Sequence, residues 1–214
     1  MLQVDIKDSP RHTFTPAERA LIRRICDRTE SEVRELLPQL PASLRLTVTD
    51  GQRVIPEYGS MGWAIGSTQV HWTVDASRRE GVLALAKSQL RATLFHELHH
   101  VVRGWVRAAP RARLLHGVVS EGLATAFERD AAGHRAPWGE YPPEVRAWVA
   151  ELLALPDDAP YGEWMFRHSD GRRWVGYRAG TFIADLAMAQ SRRSAADLVM
   201  TPTAEILALA FPLN

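Results

Sequence analysis

The run Phe95-His96-Glu97-Leu98-His99-His100-Val101 places two histidines four residues apart with a glutamate directly after the first. On a helix, residues four apart lie about 40° apart around the axis, so His96 and His100 can turn their imidazoles toward one ion. A zinc ion held this way polarises a bound water, and Glu97 stands where it can take that water's proton. The chemistry this predicts is metal-assisted hydrolysis at a carbonyl. With 8 histidines and 14 glutamates in 214 residues, the spacing arises by accident in roughly one such chain in fifty, so its surroundings must support it.

They do so through periodicity. From Val82 to Gly104 the apolar residues Leu83, Ala86, Leu90, Leu94, Leu98 and Val101 recur at three- and four-residue intervals, which predicts a helix with one buried stripe. His96 and His100 lie outside that stripe, and their neighbours on the same face, Gln89 and Thr93, are polar, as expected of a face turned to a cleft. The competing reading is a solvated helix face. His99 pairs with His96 at three-residue spacing, which would take Glu97 out of its place beside the water; it is expected behind the ligands or at the surface.

A catalytic zinc needs a third protein ligand and one open position. Glu121, in Val119-Ser120-Glu121-Gly122-Leu123-Ala124, lies 21 positions after His100, and small Gly122 and Ala124 are expected to let its helix approach the first closely. A surface glutamate is the alternative, and Glu128, two turns on, is a weaker substitute ligand.

His-Glu-Leu-His-His, followed after a helical interval by Ser-Glu-Gly-Leu-Ala, resembles the gluzincin metallopeptidases, which use two histidines and a glutamate. More narrowly, these two segments with Ala136-Pro137-Trp138 and Gly176-Tyr177-Arg178-Ala179-Gly180 resemble a bacterial family described as predicted zinc-dependent proteases and long listed as a domain of unknown function. The similarity covers roughly Gly59 to the C-terminus, and the two metal-bearing segments are its specific part. It implies a zincin-like fold, one zinc ion and cleavage of a peptide or protein substrate. Many gluzincins place an aspartate four residues after the glutamate ligand; position 125 here is Thr125.

Peptide hydrolysis develops negative charge on the carbonyl oxygen, and zincins commonly add a tyrosine or histidine donor there. Tyr177, between Gly176 and Gly180 near the start of a late helix, is the expected donor, with His168 as the alternative. Both residue types are also common as structural groups. An extended substrate can pair with a sheet edge, and Gly62 to Val74 is the stretch for it, unless Trp63 and Trp72 simply pack the core.

The elements that must position these groups follow from pattern. Thr15-Pro16-Ala17-Glu18 opens a helix that ends near Pro38; Ser43 to Thr49 alternates as a half-buried strand; Gly59 to Gly66 leads into a second strand over Val70 to Asp75. After the helix over 82–104 come helices over Ala112 to about Gly133, from Pro143, over Trp174 to Gln190 and over Ser194 to Leu209, with an irregular start before Thr15. Strands come early and helices late without βαβ alternation, which predicts an α+β domain: a small N-terminal mixed or antiparallel sheet, an active-site helix and a mainly helical C-terminal half. One domain over 1–214 is expected, with helix plus sheet in 1–75, metal-binding helices in 82–133 and a helical lobe in 134–214.

Composition narrows the classes. Hydrophobic residues at 46 % and charged residues at 24 % fit a globular chain. A net charge of +1 with no basic cluster beside aromatic residues argues against a nucleic-acid partner. The longest uncharged stretch, Tyr58 to Val74, is broken by polar residues, so no membrane span is expected. The single cysteine, Cys26, and the acids Asp5 and Asp8 near Met1 point to a cytoplasmic setting. The expected activity is therefore a zinc peptidase with His96, His100 and Glu121 as ligands, Glu97 as base and Tyr177 as donor; an amidase of small molecules and a non-catalytic zinc scaffold are the other readings.

Overall fold

The computed structural model describes residues 1–104, 113–156 and 158–212. Its contacts group into two compact units, Met1–Gly104 and Trp105–Asn214.

In the first unit, β1 (Leu2–Lys7) leads through α1 (Pro16–Leu36) to β2 (Leu44–Asp50), followed by β3 (Ser60–Ile65) and β4 (Gln69–Val74). The sheet order is β1-β2-β4-β3, with β1–β2 and β2–β4 parallel and β3–β4 antiparallel, so the sheet is mixed and β3 is an edge. The chain thus contains one βαβ unit where the sequence pattern suggested none, because the start read as irregular is β1: Leu2, Val4 and Ile6 alternate with polar residues and fall in register beside Leu44, Leu46 and Val48. The face continues through Val70, Trp72 and Val74 of β4, each fully buried. At the β3–β4 turn, Gly66 takes a positive φ of 60°, a conformation that costs a residue without a Cβ nothing.

Helix α1 starts as expected. Thr15 and Glu18 form a reciprocal capping box, with Pro16 in the first turn. The helix expected over 82–104 is observed as α2 (Gly81–Leu85), a π turn (Ala86–Leu90) and α3 (Arg91–Arg103). The π turn accommodates an extra residue and shifts the helical phase, so Val82 and Leu85 face inward while Leu83, expected in the buried stripe, is 39 % exposed. Beyond it the stripe holds: Leu90, Leu94, Leu98 and Val101 are fully buried. Helix α3 packs on β3 and β4 and touches α1.

The second unit is helical: α4 (Arg113–Ala132), α5 (Val145–Leu153), α6 (Tyr161–Met165), α7 (Val175–Ser191) and α8 (Thr203–Ala210). Ala112, the expected first residue of α4, lies outside the described residues. The helix expected over Ser194–Leu209 is confined to α8, since Pro202 cannot sit inside a helix; the preceding segment forms turns, with Ser194 Oγ accepting the Asp197 N–H at 3.1 Å. The unit's main packing is α4 on α7, where Gly122 and Gly180 bring two backbones together: a Cβ at Gly122 would strike the Gly180 carbonyl group, and one at Gly180 the Val118 carbonyl oxygen. The small residue at 122 therefore serves the α4–α7 crossing. Among the described residues no helix is long and apolar enough to cross a membrane.

Candidate metal centre

Four-residue spacing on α3 places the His96 and His100 side chains side by side, with their Nε2 atoms 3.1 Å apart and their rings inclined by 70°. Two imidazole nitrogens approach this closely only with a proton or a metal ion between them. Ligand atoms at about 2.0–2.1 Å from a tetrahedral zinc stand about 3.3 Å from each other, so the pair fits two corners of that polyhedron. Both histidines are screened from bulk water, His96 at 8 % exposure and His100 half-buried.

Glu97 is 7 % exposed. Gly62 of β3 borders it: a Cβ there would meet Thr93 Cγ2 and stand 3.0 Å from Glu97 Cγ and 3.3 Å from its Oε1. The register puts Gly62 opposite Trp72, on the sheet face that meets α3. His99 is fully buried, which removes the surface placement from its two expected ones.

Glu121 lies half-buried on α4. Tyr161, at the start of α6, lies along the same helix, where a Cβ at Gly117 would stand 2.6 Å from its hydroxyl. Burial pushes the Tyr161 phenol up to about 12, and the nearby Glu121 charge adds to the shift, so it stays a hydrogen-bond donor across the neutral range. The sequence reading passed over Tyr161; its only local signal is Pro160-Tyr161-Gly162, which reads as a turn. Glu128, the substitute ligand, is 3 % exposed and its Oε1 is 2.5 Å from His134 Nδ1.

Tyr177 falls in the first turn of α7, half-buried, with its ring 6.4 Å from that of Trp138 and 6.3 Å from that of Phe166. His168 sits in the turn before α7, its Nδ1 2.9 Å from an Asp170 carboxylate oxygen and its ring 4.4 Å from that of Trp164. These contacts tie His168 into its own turn. Thr125 is 2 % exposed and offers no carboxylate.

Among the described residues, one group of three or more His, Cys, Asp or Glu side chains has the spacing to hold a metal ion: His96, His100 and Glu121, each offering one ligand atom, these atoms all within 4.8 Å of one another. Two imidazoles and a carboxylate form a donor set suited to zinc. The chain is thus a mixed α+β protein with a candidate His/His/Glu metal site. The chain belongs to the family described as "Predicted Zn-dependent protease (DUF2268)", whose model matches residues 22–208. It has no match among curated proteins or among solved structures.

Proposed function

We propose that the chain is a gluzincin-type zinc peptidase with a zincin-like fold, in which His96, His100 and Glu121 hold one zinc ion. The observation that carries this reading is the meeting of the three ligand atoms in a chain whose family is described as zinc-dependent proteases. Zinc, when bound there, supplies Lewis acidity toward a water and a carbonyl oxygen. Glu97, one residue past His96 and screened from solvent, takes the proton of the attacking water and delivers it to the leaving nitrogen. Tyr161, beside Glu121, donates to the developing oxyanion, and Tyr177, the donor expected from the sequence, is its competitor for that role. The substrate is a peptide whose backbone lies along the edge strand β3, next to Gly62.

The test pairs metal analysis of the purified protein with cleavage of a peptide library by the wild type and Glu97→Gln. Near-stoichiometric zinc and loss of cleavage in the variant are expected. A protein without zinc sinks the reading; zinc with undiminished cleavage by Glu97→Gln removes the base, and zinc with hydrolysis only of small amides moves the substrate from peptide to small molecule.

A further inference from the structure

The second unit carries a half-open pocket of about 380 Å³ whose walls are the α4 residues Thr125 and Arg129, the segment 135–141, and the α7 residues Thr181 and Asp185. That volume lies toward the small end of the roughly 300–1,000 Å³ range of small-molecule sites, which leaves room for one or two amino-acid residues and not for an extended chain. The segment closes directly over α4: a Cβ at Gly139 would stand 2.5 Å from Thr125 Cγ2.

Two of the charged groups in the wall are committed to each other. Arg129 donates Nη1 and Nη2 to the two oxygens of Asp185 at 3.1 and 2.8 Å, and Tyr141 donates its hydroxyl to the same carboxylate at 3.0 Å. Arg129 pairs with Asp130 as well, at 2.7 Å, and these hydrogen bonds raise its pKa further above the ordinary arginine value. Thr181 gives its hydroxyl proton to the Tyr177 carbonyl at 2.9 Å.

Three groups are left uncommitted. Arg135 and Glu140 are exposed, and neither has a hydrogen bond or ion pair with another described residue. Thr125 is buried and its Oγ1 has no hydrogen-bond partner, an arrangement that costs folding free energy unless something else supplies the partner. The wall therefore offers one free cation, one free anion and one free hydroxyl.

We infer that this cavity binds a small zwitterion, a free α-amino acid or a dipeptide, with the ligand carboxylate on Arg135, its ammonium on Glu140 and a polar atom on Thr125 Oγ1. A simple anion such as phosphate would meet a single free cation and the repulsion of Glu140; a simple cation would meet the reverse. Only a molecule carrying both charges uses both groups. Thr125 follows Glu121 by one helical turn on α4, so the occupant touches the helix that carries the third ligand. The binding stands by itself; that it reports hydrolysis products to the metal centre rests on the zinc-peptidase reading.

Isothermal titration of the full-length, zinc-loaded protein with L-alanine and L-alanyl-L-alanine tests it, alongside the N-acetylated and C-amidated dipeptide. Saturable binding of the dipeptide is expected, weakened at least about tenfold by either cap and by Arg135→Ala, the loss that follows from removing a charge-assisted hydrogen bond. Glu140→Gln should abolish the sensitivity to acetylation, and Thr125→Val should weaken binding by severalfold, with zinc content and peptide cleavage unchanged in the Arg135 and Glu140 variants. Absence of saturable binding overturns the inference. So does binding that survives Arg135→Ala and disappears on chelation, which belongs to the metal centre. Arg135-dependent binding in a protein that holds no zinc leaves this site standing while the zinc reading fails.

Discussion

A Cβ added at Gly62 would stand 3.0 Å from Glu97 Cγ and 3.3 Å from its Oε1, so a glycine at 62 leaves beside the carboxylate of α3 the space that any side chain would take. On the peptidase reading, that space gives Gly62 a positioning role. In Gly62→Ala the new methyl also meets Thr93 Cγ2, and both the strand and the carboxylate must shift. Displacement of a catalytic group by on the order of 1 Å costs about a hundredfold in kcat. The expected result is a kcat lowered by that order with zinc content intact. Thr93→Ser removes the Cγ2 clash and leaves the one with Glu97, so Gly62→Ala/Thr93→Ser should regain melting temperature without regaining kcat; recovery of both together would show that the glycine serves packing alone.

Tyr161 and Tyr177 present two phenols for one task. Tyr161 lies close enough to Glu121 to feel its charge, whereas the ring of Tyr177 lies beside those of Trp138 and Phe166. Loss of an oxyanion donor costs about 10²–10³ in kcat. Tyr161→Phe is expected to show a loss of that size with KM little changed, and Tyr177→Phe a smaller one. The reverse order, measured on the same peptide, returns the role to Tyr177.

The sequence carried the candidate ligands more clearly than their supports. His96, Glu97 and His100 are legible because a helix imposes a fixed angular relation on residues four apart, and α1 is legible because Thr15 and Glu18 form a local capping box. Glu121 needed only a second periodic helix. Tyr161 and the Gly122–Gly180 crossing depend on contacts between residues about 40–60 positions apart, for which no local pattern exists. The first strand shows its alternation plainly, yet its partners, Leu44 to Thr49, lie beyond a whole helix. The phase shift at Ala86–Leu90 is invisible to any count at fixed 3.6-residue spacing, which is why the apolar pattern puts Leu83 inward.

Asp50 supplies a pH dependence of stability. Its side chain is 1 % exposed; Oδ1 accepts the Ala76 N–H at 3.1 Å, and Oδ2 accepts from Ser9 Oγ at 2.8 Å and Arg11 Nη2 at 3.0 Å. Burial pushes the carboxyl up, but the hydrogen bonds outweigh it and hold it below the ordinary value of 3.8. A carboxyl depressed in the folded state contributes stability that is complete above its unfolded value and lost as pH falls through the folded one. Asp50→Asn should therefore cost about 1–2 kcal/mol at neutral pH, and in parallel acid titrations of unfolding its gap to the wild type should close below about pH 4. A gap independent of pH would mean that the amide loses shape complementarity and not charge.

Thr125 links the fold to the proposed zwitterion site. Its buried Oγ1 lacks a hydrogen-bond partner, and valine has nearly the same shape without the hydroxyl. A buried hydroxyl that is left unpaired costs about 1–3 kcal/mol, so Thr125→Val should raise the stability of the ligand-free protein, by about 1 kcal/mol after local relaxation. Saturating L-alanyl-L-alanine should shrink that advantage, because the wild-type hydroxyl then has a partner and the variant's methyl does not. Chemical denaturation of both proteins, with and without the dipeptide, measures the two differences. A variant less stable than the wild type without ligand would mean that an ordered water already satisfies the hydroxyl, and the position would then be one of structure and not of recognition.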